Sequence, residues 1–357
     1  MKKFAIITII LVVAAFGWYF YRQSTNNRAD FLTIGNPQFS ANQMNYSISV
    51  NEKANNPIDL TVTEIPLKSA VQTRKVYFYF DKDYPILGTS VSSTLGVYDH
   101  LLAEYQEKNI AGEIQQVDSK QLVDAMSDKS GILIMASGVL PDTVYSPNKN
   151  LITPWISAGG TLFWIGDGLG YYYGVSGAEI KYDNSPYAIG WSGQEKILGQ
   201  NFLNGQVVSQ ISDSLGDTPS SLANALGIKS SYTQTGAFVS EVIKSGNIDL
   251  GYHYNFDTDA RTSLAEIKIA AGQIFIFGSP LLNREIDVAW DISQIIGSGF
   301  IDADVQKINS RKLSVPGGDK EEISRQINIG NDSNLRLIVF STNLAKRYFL
   351  TKDFKRE

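Results

Sequence analysis

The segment from Arg74 to Gly168 constrains the fold more than any other part of the chain. Four strand-like runs, "KVYFYFD", "GEIQQVD", "GILIMASG" and "TLFWIGDG", alternate there with three segments of helical character. The first run is rich in aromatic and β-branched residues. The third is apolar on both faces, as strands covered on both sides of a parallel sheet are. Between the runs, "STLGVYDHLLAEYQEKN" sets Leu95, Tyr98, Leu101, Leu102 and Tyr105 at helical spacing behind capping serines. "QLVDAM" is a short helix, and "KNLITPWISAGG" is a helix closed by glycine, with Pro154 in a first turn or at a kink. The order β-α-β-α-β-α-β with short connections predicts a doubly wound, flavodoxin-like α/β domain with a mostly parallel sheet. In such sheets chemistry collects at the carboxyl ends of the strands, so the "GDGLGYYYG" after the fourth run is the first place to look for function.

The helix–strand rhythm fails between about 182 and 263, a Gly-, Ser- and Asn-rich stretch that reads as an insertion or extended loops. It resumes with "SLAEIKIAAGQIFIFGSP", a hairpin turning at Ala-Ala-Gly, and "EIDVAWDISQIIGSGF", an amphipathic helix expected to pack back on the sheet. The α/β domain therefore spans 74–300. Before it, 23–73 opens with the polar "QSTNNRAD" and continues through short alternating strands, "MNYSISV" and "IDLTVTEI", read as a stalk. After it, "KINSRKLSV", "EEISRQINIG", "LRLIVFST" and "KRYFLTKDF" read as a small C-terminal β module over 301–357. The mixed charge of the last run suits an exposed edge strand.

At the N-terminus, Lys2 and Lys3 precede a run from Phe4 to Phe20 that is apolar apart from Thr8. As a helix it measures ~25 Å, close to the hydrocarbon thickness of a bilayer. Trp18, Tyr19, Tyr21 and Arg22 then fall where an aromatic belt meets the headgroups. The expectation is a transmembrane signal anchor over 1–22; the alternative is a cleaved signal peptide with Ala15 and Gly17 before the cut. The basic short side places the N-terminus inside and the bulk of the chain outside, giving a single-pass cell-membrane protein with an extracytoplasmic domain. The sequons at Asn45 and Asn331 are compatible with that location.

Composition removes several function classes. The net charge of −5 supplies no basic footprint for a nucleic-acid partner. No cysteine exists, which excludes thiol nucleophiles, thiolate metal sites and disulfides, and His100 and His253 are the only histidines.

A strand ending in a small-residue loop ("ILIMASGVLPD"), a helix ending "WISAGG", then "TLFWIGDG" and the late "GQIFIFGSPLLN", together resemble the class I glutamine amidotransferase-like superfamily over about 74–300. The nearest likeness is to its membrane-anchored branch without amidotransferase activity. The resemblance implies that a nucleophilic cysteine would stand on the turn after Thr161–Ile165, followed by a histidine and an acidic partner. Here Gly166-Asp167-Gly168 occupies that turn, and His253 is the only downstream histidine. A Cys-His relay needs both members, so the resemblance implies a pseudoenzyme with no catalytic residues and no cofactor. Such a domain would act by binding, within a cell-envelope or transport-associated assembly. Gly166, Asp167, Gly168 and the aromatic Tyr171, Tyr172, Tyr173 and Trp191, with Tyr182 and Tyr187 near them, form the candidate binding surface for a protein or glycan partner.

The same strand ends admit an alternative. Asp81 and Asp83 after the first strand, Ser137 after the third and Asp167 after the fourth resemble the haloacid-dehalogenase-like phosphotransferases. That resemblance implies Mg²⁺, with Asp81 as nucleophile, Asp83 as acid/base, Asp167 on the metal and Lys149 as a lysine counterpart. Against it, "GDGLGYYYG" lacks the usual second late carboxylate. Each aspartate also has a plainer reading, as a turn residue bonding its own backbone or as a helix cap.

Overall fold

The computed structural model describes residues 32–40, 43–50, 57–68, 70–166, 168–182, 185–199, 215–234, 236–256, 259–278, 284–315, 321–328, 334–341 and 349–355. The chain forms two compact units, Val71–Gly297 and a unit that joins Met1–Ala70 to Ser298–Glu357.

The central unit is built on a seven-stranded sheet. Its strands are β1 (Val76–Tyr79), β2 (Ile114–Val117), β3 (Ile132–Met135), β4 (Thr161–Ile165), β5 (Ile248–Asp249), β6 (Leu264–Ile269) and β7 (Gly272–Phe277). They lie in the order β5-β6-β7-β4-β3-β1-β2. β2, β1, β3, β4 and β7 run parallel, whereas β6 and β5 are antiparallel to their neighbours. The seven α-helices among the described residues are α1 (Val91–Glu107), α2 (Ser119–Ala125), α3 (Ile152–Ser157), α4 (Trp191–Leu198), α5 (Ser221–Leu226), α6 (Val239–Lys244) and α7 (Glu285–Gly297).

Local chemistry explains these boundaries. Ser90 caps α1 by accepting from the Ser93 amide, and Asp118 with Gln121 forms a reciprocal capping box on α2. The four-residue strands β1 and β3 are buried at every position, so they carry apolar side chains on both faces. One face packs Tyr77, Leu133 and Trp164 with Leu122, Trp155 and Ile197 from α2, α3 and α4. On β4 and β7, Phe163 and Phe275 stack with ring centroids 4.6 Å apart. α7, expected from the sequence as an amphipathic helix packing back on the sheet, is buried continuously from Val288 to Ile295.

The expected doubly wound, mostly parallel sheet with an N-terminal transmembrane helix and a separate C-terminal module needs correction. The sheet is mixed, and several small antiparallel sheets accompany it. The reason lies in the late hairpin. Ile269 pairs with Gly272 across a two-residue turn, which reverses the chain and makes β6 antiparallel to β7. The stretch of 182–263 is also not structureless: it holds α4, α5, α6 and a three-stranded sheet of Thr218–Pro219, Tyr252–Phe256 and Asp259–Thr262.

The stalk and the C-terminal module are likewise one object. Gln43–Val50 pairs with Glu321–Asn328 along its whole length, and Ile58–Pro66 lies between Asn309–Val315 and Asn334–Phe340. Two all-antiparallel sheets result, and they share one core. Met44, Tyr46, Ile48 and Val50 from the first pack with Leu60, Val62, Leu337 and Val339 from the second. Each sheet has one apolar face that only the other can bury, which is why strands from opposite chain ends meet. Within this core Glu64 is 5% exposed and accepts hydrogen bonds from Tyr46, Asn309 and Arg311.

The membrane expectations are corrected as well. The anchor over 1–22 lies outside the described residues. Among the described residues no helix is long and apolar enough to cross a membrane. The longest, α1, has 17 residues and includes Asp99, Glu104 and Glu107, whereas a span needs about 20 mostly apolar ones. The single-pass attachment, and the extracytoplasmic location resting on it, are therefore not carried further.

Candidate functional site

The carboxyl ends of the parallel strands bring together most of the residues singled out from the sequence. Asp81, just past β1, accepts from the Asp83 amide at 3.0 Å and from the Ser119 amide at 3.1 Å. Both of its oxygens thus serve backbone, one closing a turn and the other capping α2. Burial pushes its pKa up, but the Ser119 hydroxyl, those two amides and Lys120 together hold it below the ordinary carboxylate value. Asp83 is exposed, and its carbonyl accepts from the Gly177 amide. Ser137 is buried and donates its hydroxyl to the Val139 carbonyl at 2.9 Å. Lys149 is exposed and donates to the Thr143 carbonyl. Asp167 lies outside the described residues. Among the described residues no group of three or more His, Asp or Glu is arranged to hold a metal ion.

The turn after β4 leaves no room for a nucleophile at Gly166. That residue has φ +148°, and a Cβ built on it would lie 2.5 Å from the Gly138 Cα. Gly138 in turn has φ +71°, and its Cβ would meet the Leu87 carbonyl oxygen at 2.1 Å. The loops after β1, β3 and β4 therefore touch backbone to backbone. Leu87, Val139, Tyr172 and Ile180 fill the space beside them as a small apolar cluster.

His253 stands elsewhere. It bonds Asp249 at 2.5 Å, and Thr262 donates to the same carboxylate at 2.6 Å. Asp249 ends β5, which β6 and β7 separate from β4. Three strand spacings, about 14 Å, thus lie between this pair and the β4 turn. His100 is exposed on α1.

The aromatic residues form a row of four rings, Trp191, Tyr171, Tyr172 and Tyr182, and a separate pair, Tyr173 and Tyr187. Tyr171 meets Tyr172 at 4.7 Å and the Trp191 ring edge-on at 4.9 Å. Tyr172 meets Tyr182 at 6.5 Å, and Tyr173 meets Tyr187 at 5.6 Å, both edge-on. Tyr172 is buried, Tyr182 is exposed, and Tyr171, Tyr173, Tyr187 and Trp191 are half-buried. Trp191 begins α4 and sits on Gly168, so the helix holds this row against the β4 turn. Tyr171, Tyr173, Tyr187 and Trp191 are thus packed in ring contacts while part of each remains open to solvent.

Sequence reasoning passed over a second constellation at this edge. Tyr84 donates its hydroxyl to Asp142 at 2.8 Å, and Thr143 donates to the Ser119 carbonyl at 2.8 Å. Tyr79 is 2% exposed, and its hydroxyl has no hydrogen-bond partner among the described residues. Burial, then Asp81, Tyr84, Asp142 and Asp118, push its pKa far above the usual phenol value. The positions after β1 and β3 pointed here, but nothing in the sequence distinguishes Asp142 from any other loop aspartate.

No protein-family model matches the chain, and no curated protein matches it. Among solved structures, a β-galactosidase from Rahnella sp. R3 is 14% identical with a TM-score of 0.36, over 72% of this chain and 41% of that one. A likeness at that level carries no argument about fold or activity.

Proposed function

We propose that the chain is a non-catalytic binding protein, an amidotransferase-like pseudoenzyme that recognises a protein or glycan partner through Tyr171, Tyr173, Tyr187 and Trp191. The observation that carries this reading is the aromatic set, whose Tyr171, Tyr173, Tyr187 and Trp191 are fixed by ring contacts yet remain half-exposed. Rings held that way offer large contact area at little entropic cost, as recognition surfaces do. The blocked position at Gly166 supports the absence of a nucleophile at that residue. The engagement of Asp81 with two backbone amides favours a structural role over that of a phosphoryl acceptor.

The test is a photo-crosslinking residue at position 187 in the cells that make the protein, with a glycan panel probed in parallel. A partner crosslinked from 187 but not from Lys244 on α6, or a glycan retained by the wild type and lost in Tyr173→Ala, is the expected result. Silence in both arms would overturn the reading. Mg²⁺-dependent phosphate release that disappears in Asp81→Asn would replace it with the phosphohydrolase.

A further inference from the structure

We propose that the partner recognised at the aromatic set is a protein segment presenting an arginine, received in the corner between Trp191 and Tyr171 beside Glu195. The inference rests on the binding role proposed above and names the chemistry of the occupant.

The backbone builds that corner. The Tyr171 carbonyl accepts from the Ile189 amide at 2.8 Å and from the Gly190 amide at 3.1 Å, and the Tyr173 amide donates to the Tyr187 carbonyl at 3.1 Å. The two segments that carry the rings are thereby fastened together. Tyr171 and Trp191 stand at 79° to each other, so they form a corner rather than a flat stack, and both remain partly open to solvent. A cation in such a corner rests against the negative face of one ring while the second ring shields it from water. Tryptophan is the strongest of the aromatic side chains in this role.

Charge then selects the occupant. Glu195 is exposed and follows Trp191 by four residues on α4, which sets the two side chains one turn apart on the same helix face. Its carboxylate has no ion pair or hydrogen bond among the described residues. Lys196 lies round the helix from Trp191, and Lys181 is already paired with Glu179 at 3.3 Å. The full charge of Glu195 exceeds the roughly half charge of opposite sign at the start of a helix. A guanidinium suits this pairing because its plane lies on an aromatic face while its edge reaches a carboxylate; an ammonium is more tightly hydrated and has no such plane. A neutral sugar can use the rings, but its binding would not weaken with salt.

The test titrates the full chain into a dye-labelled Gly-Arg-Gly-Arg-Gly amide, with citrulline and lysine versions alongside, and reads fluorescence anisotropy. The arginine peptide should bind saturably and more weakly as salt rises, with the citrulline version about tenfold weaker and the lysine version between them. Glu195→Gln should weaken arginine binding about threefold, and Lys244→Gln on α6 should leave it unchanged. Trp191→Ala should abolish it; because Trp191 also packs on Gly168, the exposed Glu195→Gln carries the test should that variant fail to fold. Equal binding of the arginine and citrulline peptides, lysine bound as tightly as arginine, undiminished binding in Glu195→Gln, or silence from all three peptides would overturn the assignment. A partner still crosslinked from position 187 in any of those cases would leave the broader binding role standing, whereas silence there as well would remove both.

Discussion

The edge of the parallel strands is held shut on one side and left unfinished on the other. Around β3 and β4, Gly138 and Gly166 let loop backbones touch, and Leu87, Val139, Tyr172 and Ile180 fill the rest. The loop after β1 is also joined by side chains to those after β2 and β3, Asp81 to Ser119 and Tyr84 to Asp142, and the Tyr79 hydroxyl has no partner among the described residues. Backbone contact excludes any guest. A side-chain network that leaves a buried group unpaired sacrifices stability.

Substitutions at the two sides should differ in sign as well as size. Gly166→Ala is expected to have the largest effect, destabilising by about 3 kcal/mol or more, because the added Cβ meets backbone rather than a movable side chain. Its urea midpoint, or a failure to express as folded protein, checks this. A mild effect would show that the β3 and β4 loops separate easily.

Next comes Asp291, a buried group that contrasts with Tyr79 because both its oxygens are satisfied, by the Lys229 amide at 2.7 Å and the Ser230 amide at 2.8 Å. Asp291→Ala should cost about 2–3 kcal/mol by stranding two buried amides. Burial raises the Asp291 pKa from 3.8 to about 7 against the bonds from Ser230 and Lys229. The folded state therefore holds a proton that the unfolded state has lost. That contribution to stability is full below pH 3.8 and is lost as pH rises through about 7. Lys108 behaves oppositely. Burial lowers its pKa from 10.5 to about 8 despite its ion pair with Glu104, so its contribution grows as pH rises from about 8 to 10.5. Unfolding midpoints measured across this range should fall and then rise, and Asp291→Asn should flatten the first slope.

On the unfinished side, Tyr84→Phe should cost about 1 kcal/mol for its bond to Asp142. Tyr79→Phe should instead be neutral or stabilising, by up to about 1 kcal/mol, since it removes a buried hydroxyl that has no partner among the described residues. A clear loss of stability in Tyr79→Phe would remove the contrast between the two sides. The smallest effect is expected at the hairpin turn, where Ala270 has φ +52°; Ala270→Gly should raise the melting temperature slightly, in keeping with about 0.5–1 kcal/mol.

Much of the central unit was readable from spacing alone. Leu95, Tyr98, Leu101 and Tyr105 announce α1, and "GILIMAS" and "TLFWIG" announce strands buried on both faces. Aspartate after β1 was also visible, but its use was not. Whether Asp81 attacks a substrate or caps α2 depends on where Ser119 falls, which is 38 positions away in sequence. Tyr84 and Asp142 lie 58 positions apart and carry no shared pattern at all.

The amino-acid order by itself determined the local elements, because helical and strand periodicity need only near neighbours. It also excluded thiol chemistry by the absence of cysteine. Tertiary structure alone decided the rest. The strands near both chain ends each had one apolar face, and only their mutual burial made a stalk and a tail into one two-sheet core. At the sheet edge, packing distances of a few ångströms closed the turn at Gly166 and left the Tyr79 hydroxyl without a partner among the described residues. Such distances are set by contacts between distant segments, and no local pattern encodes them.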